Sequence, residues 1–121
     1  MSFLDVLEIE KEEMYDFEGL LGSEIAMGMR CCKWIRINDE LALSIQASNM
    51  HYCIPRKLID LDKYTHFEMA IIINDTISYD TSALKGFSKY NELMEYYQYG
   101  VFAYVDKELL EELYTYCKEN L

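Results

Sequence analysis

The stretch Lys33–Ser48, KWIRINDELALSIQAS, decides the fold. In Lys33–Ile37, Ile35 and Ile37 point one way and Trp34 and Arg36 the other, the two-residue period of a strand. Asn38 and Asp39 suit a turn, because their short side chains bond back to the local backbone. Leu41–Ser48 alternates again, with Leu41, Leu43, Ile45 and Ala47 against Ala42, Ser44, Gln46 and Ser48. Two alternating runs around a short polar turn read as an antiparallel hairpin.

Beyond a loop containing Pro55, Thr65–Ile73 repeats the pattern. Phe67, Met69, Ile71 and Ile73 face a core, with His66 and Glu68 opposite. Asn74-Asp75 marks another turn and Thr76–Tyr79 a short strand. Ser88 caps a helix predicted over Lys89–Tyr99, with Tyr90, Leu93, Met94 and Tyr97 on one face and Gly100 as its stop. Val101–Val105 reads as a strand, with Val101, Ala103 and Val105 on one side and Phe102 and Tyr104 on the other. Asp106 caps a last helix whose stripe is Leu109, Leu110, Leu113, Tyr116 and Cys117. Upstream, residues 2–28 are expected to be helical through Phe3, Leu7, Met14 and Leu21. Ser2 is the N-cap, Asp5 lies in the first turn, and Gly19 and Gly22 divide the stretch. The alternation in DVLEIE leaves a short strand at Val6–Glu10 as the alternative. Together these give one α+β domain over residues 1–121: an antiparallel sheet of about four or five strands with helices packed on one face.

Composition narrows the class. A chain that is 51% hydrophobic, with 11 Tyr, 5 Phe and 1 Trp, can build a core, which excludes global disorder. One Pro and five Gly exclude collagen-like and low-complexity classes. No apolar run approaches the ~20 residues of a membrane span. The acidic start, MSFLDVLEIEKEEM, lacks a signal peptide's basic region, so a cytoplasmic setting with no membrane partner is expected. Cys31, Cys32, Cys53 and Cys117 include no CxxC pair, and His51-x-Cys53 is too sparse for zinc. The cysteines are read as reduced and mostly buried, with no metal and no cofactor.

The net charge is −11 and unevenly spread. Residues 1–30 carry eight acids against Lys11 and Arg30, and residues 61–121 carry eleven acids against five lysines. Residues 31–60 carry Lys33, Arg36, Arg56 and Lys57 against Asp39, Glu40 and Asp60. Such a surface repels phosphate backbones, so direct DNA binding is disfavoured. The middle segment is where an anion sits most comfortably.

If the aliphatic sides of the strands meet the helices, the other side shows Trp34, Arg36, Ser44, Gln46, Ser48, His66, Glu68, Phe102 and Tyr104. Aromatics beside Arg are typical of interface centres and base-stacking platforms, so a homo-oligomer seam or a ligand surface is expected. The site-like stretch is Leu43–Arg56, LSIQASNMHYCIPR. Gln46 and Asn49 can read base or amide edges, Tyr52 stacks, and Arg56 forks a phosphate or carboxylate. Ser48 and His51 complete the polar set. Catalysis through His51 with Cys53 or Ser48 ranks last, because no orienting group or oxyanion hole is signalled. Gly-rich phosphate loops, Walker patterns and zinc-protease patterns are absent.

The string Gln46-Ala47-Ser48-x-x-His51-Tyr52-x-x-Pro55-Arg56, the strand with Glu68, and Val101-Phe102-Ala103-Tyr104-Val105 running into a C-terminal helix resemble the first class of Thoeris anti-defence proteins. Those are phage-encoded nucleotide sponges. The likeness covers roughly residues 43–73 and 100–117 and not the acidic first 30. It implies a small α+β homo-oligomer that sequesters a cyclic ADP-ribose-type signal or a cyclic oligonucleotide without cleaving it, so evading host immunity. The residues alone nominate Arg36 and Arg56 for phosphate, Gln46 and Asn49 for polar edges, and Trp34, Tyr52, Phe102 and Tyr104 for stacking. The alternative is an acidic protein–protein inhibitor, such as an anti-CRISPR or nucleic-acid mimic, docking on a basic host defence nuclease.

Overall fold

The computed structural model describes residues 1–15 and 27–121. It is α+β. Helix α1 (Phe3–Val6) leads into a two-stranded ribbon of β1 (Ile9–Tyr15) and β2 (Met27–Cys32). Then follow β3 (Ile35–Arg36), β4 (Leu41–Gln46), β5 (His66–Ile73), β6 (Thr76–Ile77), α2 (Tyr90–Met94), β7 (Tyr97–Gln98), β8 (Val101–Asp106) and α3 (Lys107–Asn120). The main antiparallel sheet runs β3-β4-β5-β8-β7, with β6 pairing the far end of β5. No helix among the described residues is long and apolar enough to cross a membrane.

The hairpin at 33–48 and the strand at 65–73 form as their alternation requires. Ile35 pairs Leu43, and Leu43 pairs Ile71. Asn38 Oδ1 accepts from the N–H groups of Glu40 and Leu41, both at 2.8 Å, and closes the turn. The inner sides of these strands meet α1 and α3. Leu43, Ile45, Phe67, Met69 and Ile71 are buried with Phe3, Leu110, Leu113 and Cys117. Phe3 meets Phe67 edge-on at 5.3 Å. Two of the three predicted caps form: Ser2 makes a capping box with Asp5, and Asp106 Oδ1 accepts from Glu108 N–H at 2.7 Å, whereas α2 starts after Lys89 with no side-chain cap from Ser88. The four cysteines are free thiols, with Cys32, Cys53 and Cys117 buried and Cys31 half-buried.

Three expectations are corrected. The first concerns residues 2–28, where helix is confined to Phe3–Val6 and the chain then runs as strand. Strand wins because Lys11, Glu12 and Glu13 of β1 find cross-strand neighbours on β2, such as Glu12 opposite Arg30, with a bulge at Glu10. The proposed breaks at Gly19 and Gly22, with Leu21 of the predicted stripe, lie outside the described residues. The second is the helix over Lys89–Tyr99, which ends at Met94. Tyr97 and Gln98 pair Phe102 and Val101 instead. Tyr99 (φ 47) and Gly100 (φ 95) make the tight turn between them, since two positive φ values match strand twist. A Cβ at Gly100 would stand 2.8 Å from the Tyr79 ring.

The third concerns β8. Phe67 pairs Val105 while Met69 pairs Phe102, so β8 carries one extra residue. The bulge centres on Tyr104, whose φ is 57. It reverses the alternation between Phe102 and Val105, and both point into the core. Phe102 therefore does not share the outer face with Tyr104. It is fully buried, 4.9 Å from Tyr97 between ring centres, and has no surface on which to stack a ligand.

Candidate functional site

The register of β3 on β4, extended without a break, would set Cys32 opposite Gln46. The chain instead leaves the ladder at Lys33 and Trp34. The Gln46 carboxamide fills the gap. Its Oε1 accepts from Cys32 N–H at 2.7 Å, and its Nε2 donates to Cys32 O at 2.9 Å and Ser44 Oγ at 3.0 Å. Asn49 does related work one loop on, its Oδ1 accepting from Gly28 N–H at 2.8 Å. Both amides expected to read a ligand edge thus tie the ribbon to the main sheet.

The loop after β4 folds around buried Ser48. Its hydroxyl lies 2.7 Å from His51 Nδ1 and accepts from Met50 N–H at 3.1 Å. Buried Cys53 donates to Ser48 O at 3.2 Å. Burial pushes the Cys53 thiol up, and burial followed by the Arg56 charge pushes the His51 imidazole down. Ser48, His51 and Cys53 thus knot the loop together, with the hydroxyl and the thiol both buried. His66 bonds Thr65 Oγ1 at 2.8 Å through its own ring, separate from that knot.

Past the knot the chain crosses the outer face over Glu68. The bulge turns the Tyr104 N–H out of the ladder, where it donates to Tyr52 O at 3.0 Å. The two rings meet at 5.8 Å between centres, tilted by 47°. Arg56 lies over the other part of the column, its guanidinium 5.6 Å from the Tyr52 ring centre. It is held by Nη2 donating to Asn49 O at 3.2 Å, while Asn49 Nδ2 donates to Arg56 O at 3.0 Å. Tyr52 remains 42% exposed, flanked by exposed Met50 and Ile54. The result is a stacked row, Arg56–Tyr52–Tyr104, with an open face and a guanidinium at its end.

Comparison with protein-family models, with curated proteins and with solved structures returns no match.

Of the expected set, Tyr52, Tyr104 and Arg56 therefore come together, steadied by Asn49, with Ser48 and His51 behind them. Trp34 and Arg36 do not join them. They stand at the β3 edge, three strands from β8. Glu68, left out of that set, lies beneath the row and takes the Tyr52 N–H. The alternation of Thr65–Ile73 does place it on this face. Among the described residues no group of three or more His, Cys, Asp or Glu is placed to share a metal ion.

Burial raises the Glu68 carboxyl above its ordinary 4.5, against the opposing pull of the Tyr52 N–H and the Arg56 charge. A carboxyl whose folded pKa exceeds its unfolded value binds more protons in the folded state. Its contribution to stability is therefore lost as pH rises from 4.5 through the folded pKa. Glu68→Gln keeps an oxygen for the Tyr52 N–H and removes this slope. Urea unfolding between pH 4.5 and neutrality should fall less steeply for the variant than for the native chain. Parallel curves would show that Glu68 is not desolvated in solution.

Proposed function

We propose that this protein is a non-enzymatic binder that sequesters a nucleotide signal on the Arg56–Tyr52–Tyr104 row. The observation that carries this reading is the row itself. The exposed Tyr52 ring, backed by half-buried Tyr104, can stack sequence-tolerantly on a base, worth ~1–3 kcal/mol per base. The adjoining guanidinium retains donors for a phosphate. The resemblance to phage sponges supports a cyclic ADP-ribose-type or cyclic oligonucleotide ligand, a homo-oligomer, and action in the cytoplasm of an infected bacterial cell. The burial of the Ser48 hydroxyl and of the Cys53 thiol, whose pKa burial raises, supports binding without cleavage.

Native mass spectrometry of the purified chain, alone and with a panel of cyclic nucleotides and ADP-ribose isomers, tests it. The expected spectrum is a symmetric oligomer that gains an unmodified nucleotide mass. Binding of none of the panel, or release of a cleaved product, would overturn it.

A second reading rests on α3. Glu111, Glu112 and Glu119 line a groove of about 550 Å³ whose walls hold no basic residue. That surface suits a basic protein partner, as an acidic inhibitor of a defence nuclease would require. Its mark is capture that fails at high salt.

A further inference from the structure

The β3 edge carries a feature that the platform does not use. Trp34, expelled where the chain leaves the ladder, is 43% exposed and stands between two cavities of about 240 and 310 Å³. Lys33, Arg36 and Lys118 line the first, with Glu8 as the one acid and buried Tyr114 in its wall. Lys33 and Arg36 recur in the second, against Glu10. Three cations thus converge on one indole in a chain of net charge −11. The cavities along α3 are acidic by contrast, one holding Glu111, Glu112 and Glu119 without a cation.

The cations are available. The Lys33–Glu8 pair at 3.3 Å and the Arg36–Asp75 pair at 2.9 Å are open to water and therefore weak. The Lys118 side chain makes no ion pair or hydrogen bond among the described residues. The two cavities, about 240 and 310 Å³, adjoin at Trp34 and lie just below and just inside the ~300–1,000 Å³ range of small-molecule sites, which suits a small ligand of mononucleotide size that spans both.

We propose that the Trp34 edge is a second binding site, for a mononucleotide whose base stacks on the indole and whose phosphate takes Arg36, Lys33 and Lys118. Arg36 supplies the planar fork for phosphate oxygens, and the two lysines supply charge. The site stands independently of the Tyr52 row, three strands away at ~4.8 Å per strand.

Trp34 is the single tryptophan, so emission excited at the red edge of the indole band, where the 11 tyrosines do not absorb, reports on this site alone. The probe is ADP, titrated at low salt. The expected result is a quench that saturates. Its midpoint should move about tenfold or more in Arg36→Ala/Lys118→Ala, and Arg56→Ala should leave it unchanged. Lys118→Glu, at an exposed position in the last turn of α3, should weaken the quench in the same direction, and thermal melts check that each variant folds. A purely linear quench, a double variant with the native curve, or loss of the quench in Arg56→Ala would overturn the proposal. The Arg56 result separates failure of this site from failure of the platform.

Discussion

Gln46→Leu is expected to cost about 2–4 kcal/mol of folding stability and to loosen the ribbon from the main sheet. The Gln46 carboxamide serves both backbone groups of Cys32, a residue only 3% exposed. Leucine keeps the volume but leaves a buried N–H and a buried C=O unpaired, at about 1–3 kcal/mol each. Part of that cost is recovered if water enters, and the ribbon then frays. Urea unfolding gives the first number. Hydrogen exchange shows the second effect as faster amides in β1 and β2 with β4 and β5 unchanged. Gln46→Glu should be nearly as harmful, because it keeps the acceptor for the Cys32 N–H but turns a second acceptor on the Cys32 carbonyl. A loss below about 0.5 kcal/mol for Gln46→Leu would mean that the amide bonds are made equally well by water.

The second large effect is asymmetric. Glu12→Ala is expected to cost about 3–5 kcal/mol, and Arg30→Met about 1 kcal/mol or less. The pair faces across β1 and β2, with Arg30 Nε 3.0 Å from Glu12 Oε2. The Arg30 side chain is 5% exposed and that of Glu12 is 37%. Removing the carboxylate strands a guanidinium in the interior, where Nη1 has no hydrogen-bond partner. Removing the guanidinium leaves a carboxylate that water still reaches, and methionine refills much of the stem. In the Arg30→Met background Glu12→Ala should then cost almost nothing, so a double-mutant cycle by urea unfolding measures the coupling. Equal losses for the two single variants would contradict this account. Reversing Glu12 to lysine is, for the same reason, a test of folding before it is a test of any acidic docking surface.

The outcome of reading the sequence follows the kind of signal each element carries. Leu41–Gln46 and His66–Ile73 were legible because a buried face fixes strand register. Helix α3 was legible because Asp106 and the leucine stripe agree. β1 was not, because IEKEEMY has good helix formers and no apolar alternation, and its strand state comes from β2. Phe102 was misplaced because alternation assumes an unbroken ladder, and nothing local to Ala103-Tyr104 announces a bulge. At the site, Tyr52, Tyr104 and Arg56 were singled out by residue type, and the structure brings them together. Gln46 and Asn49 were recognised as paired donors and acceptors, but a carboxamide suits a strand's peptide group as well as a base edge. Only the break at Lys33–Trp34 decides which it meets.

The central claim is that the Arg56–Tyr52–Tyr104 row binds a nucleotide. Its most direct test compares the native chain with Arg56→Ala, by titration against whichever panel nucleotide the native protein retains in the mass spectrometer. Arg56 is exposed and bonded mainly to the Asn49 loop, so the variant should keep its fold and its thermal melt. The expected result is a loss of affinity of about 10- to 150-fold, the worth of one hydrogen bond to a charged group. Native affinity in a folded Arg56→Ala would contradict the claim and place the nucleotide elsewhere.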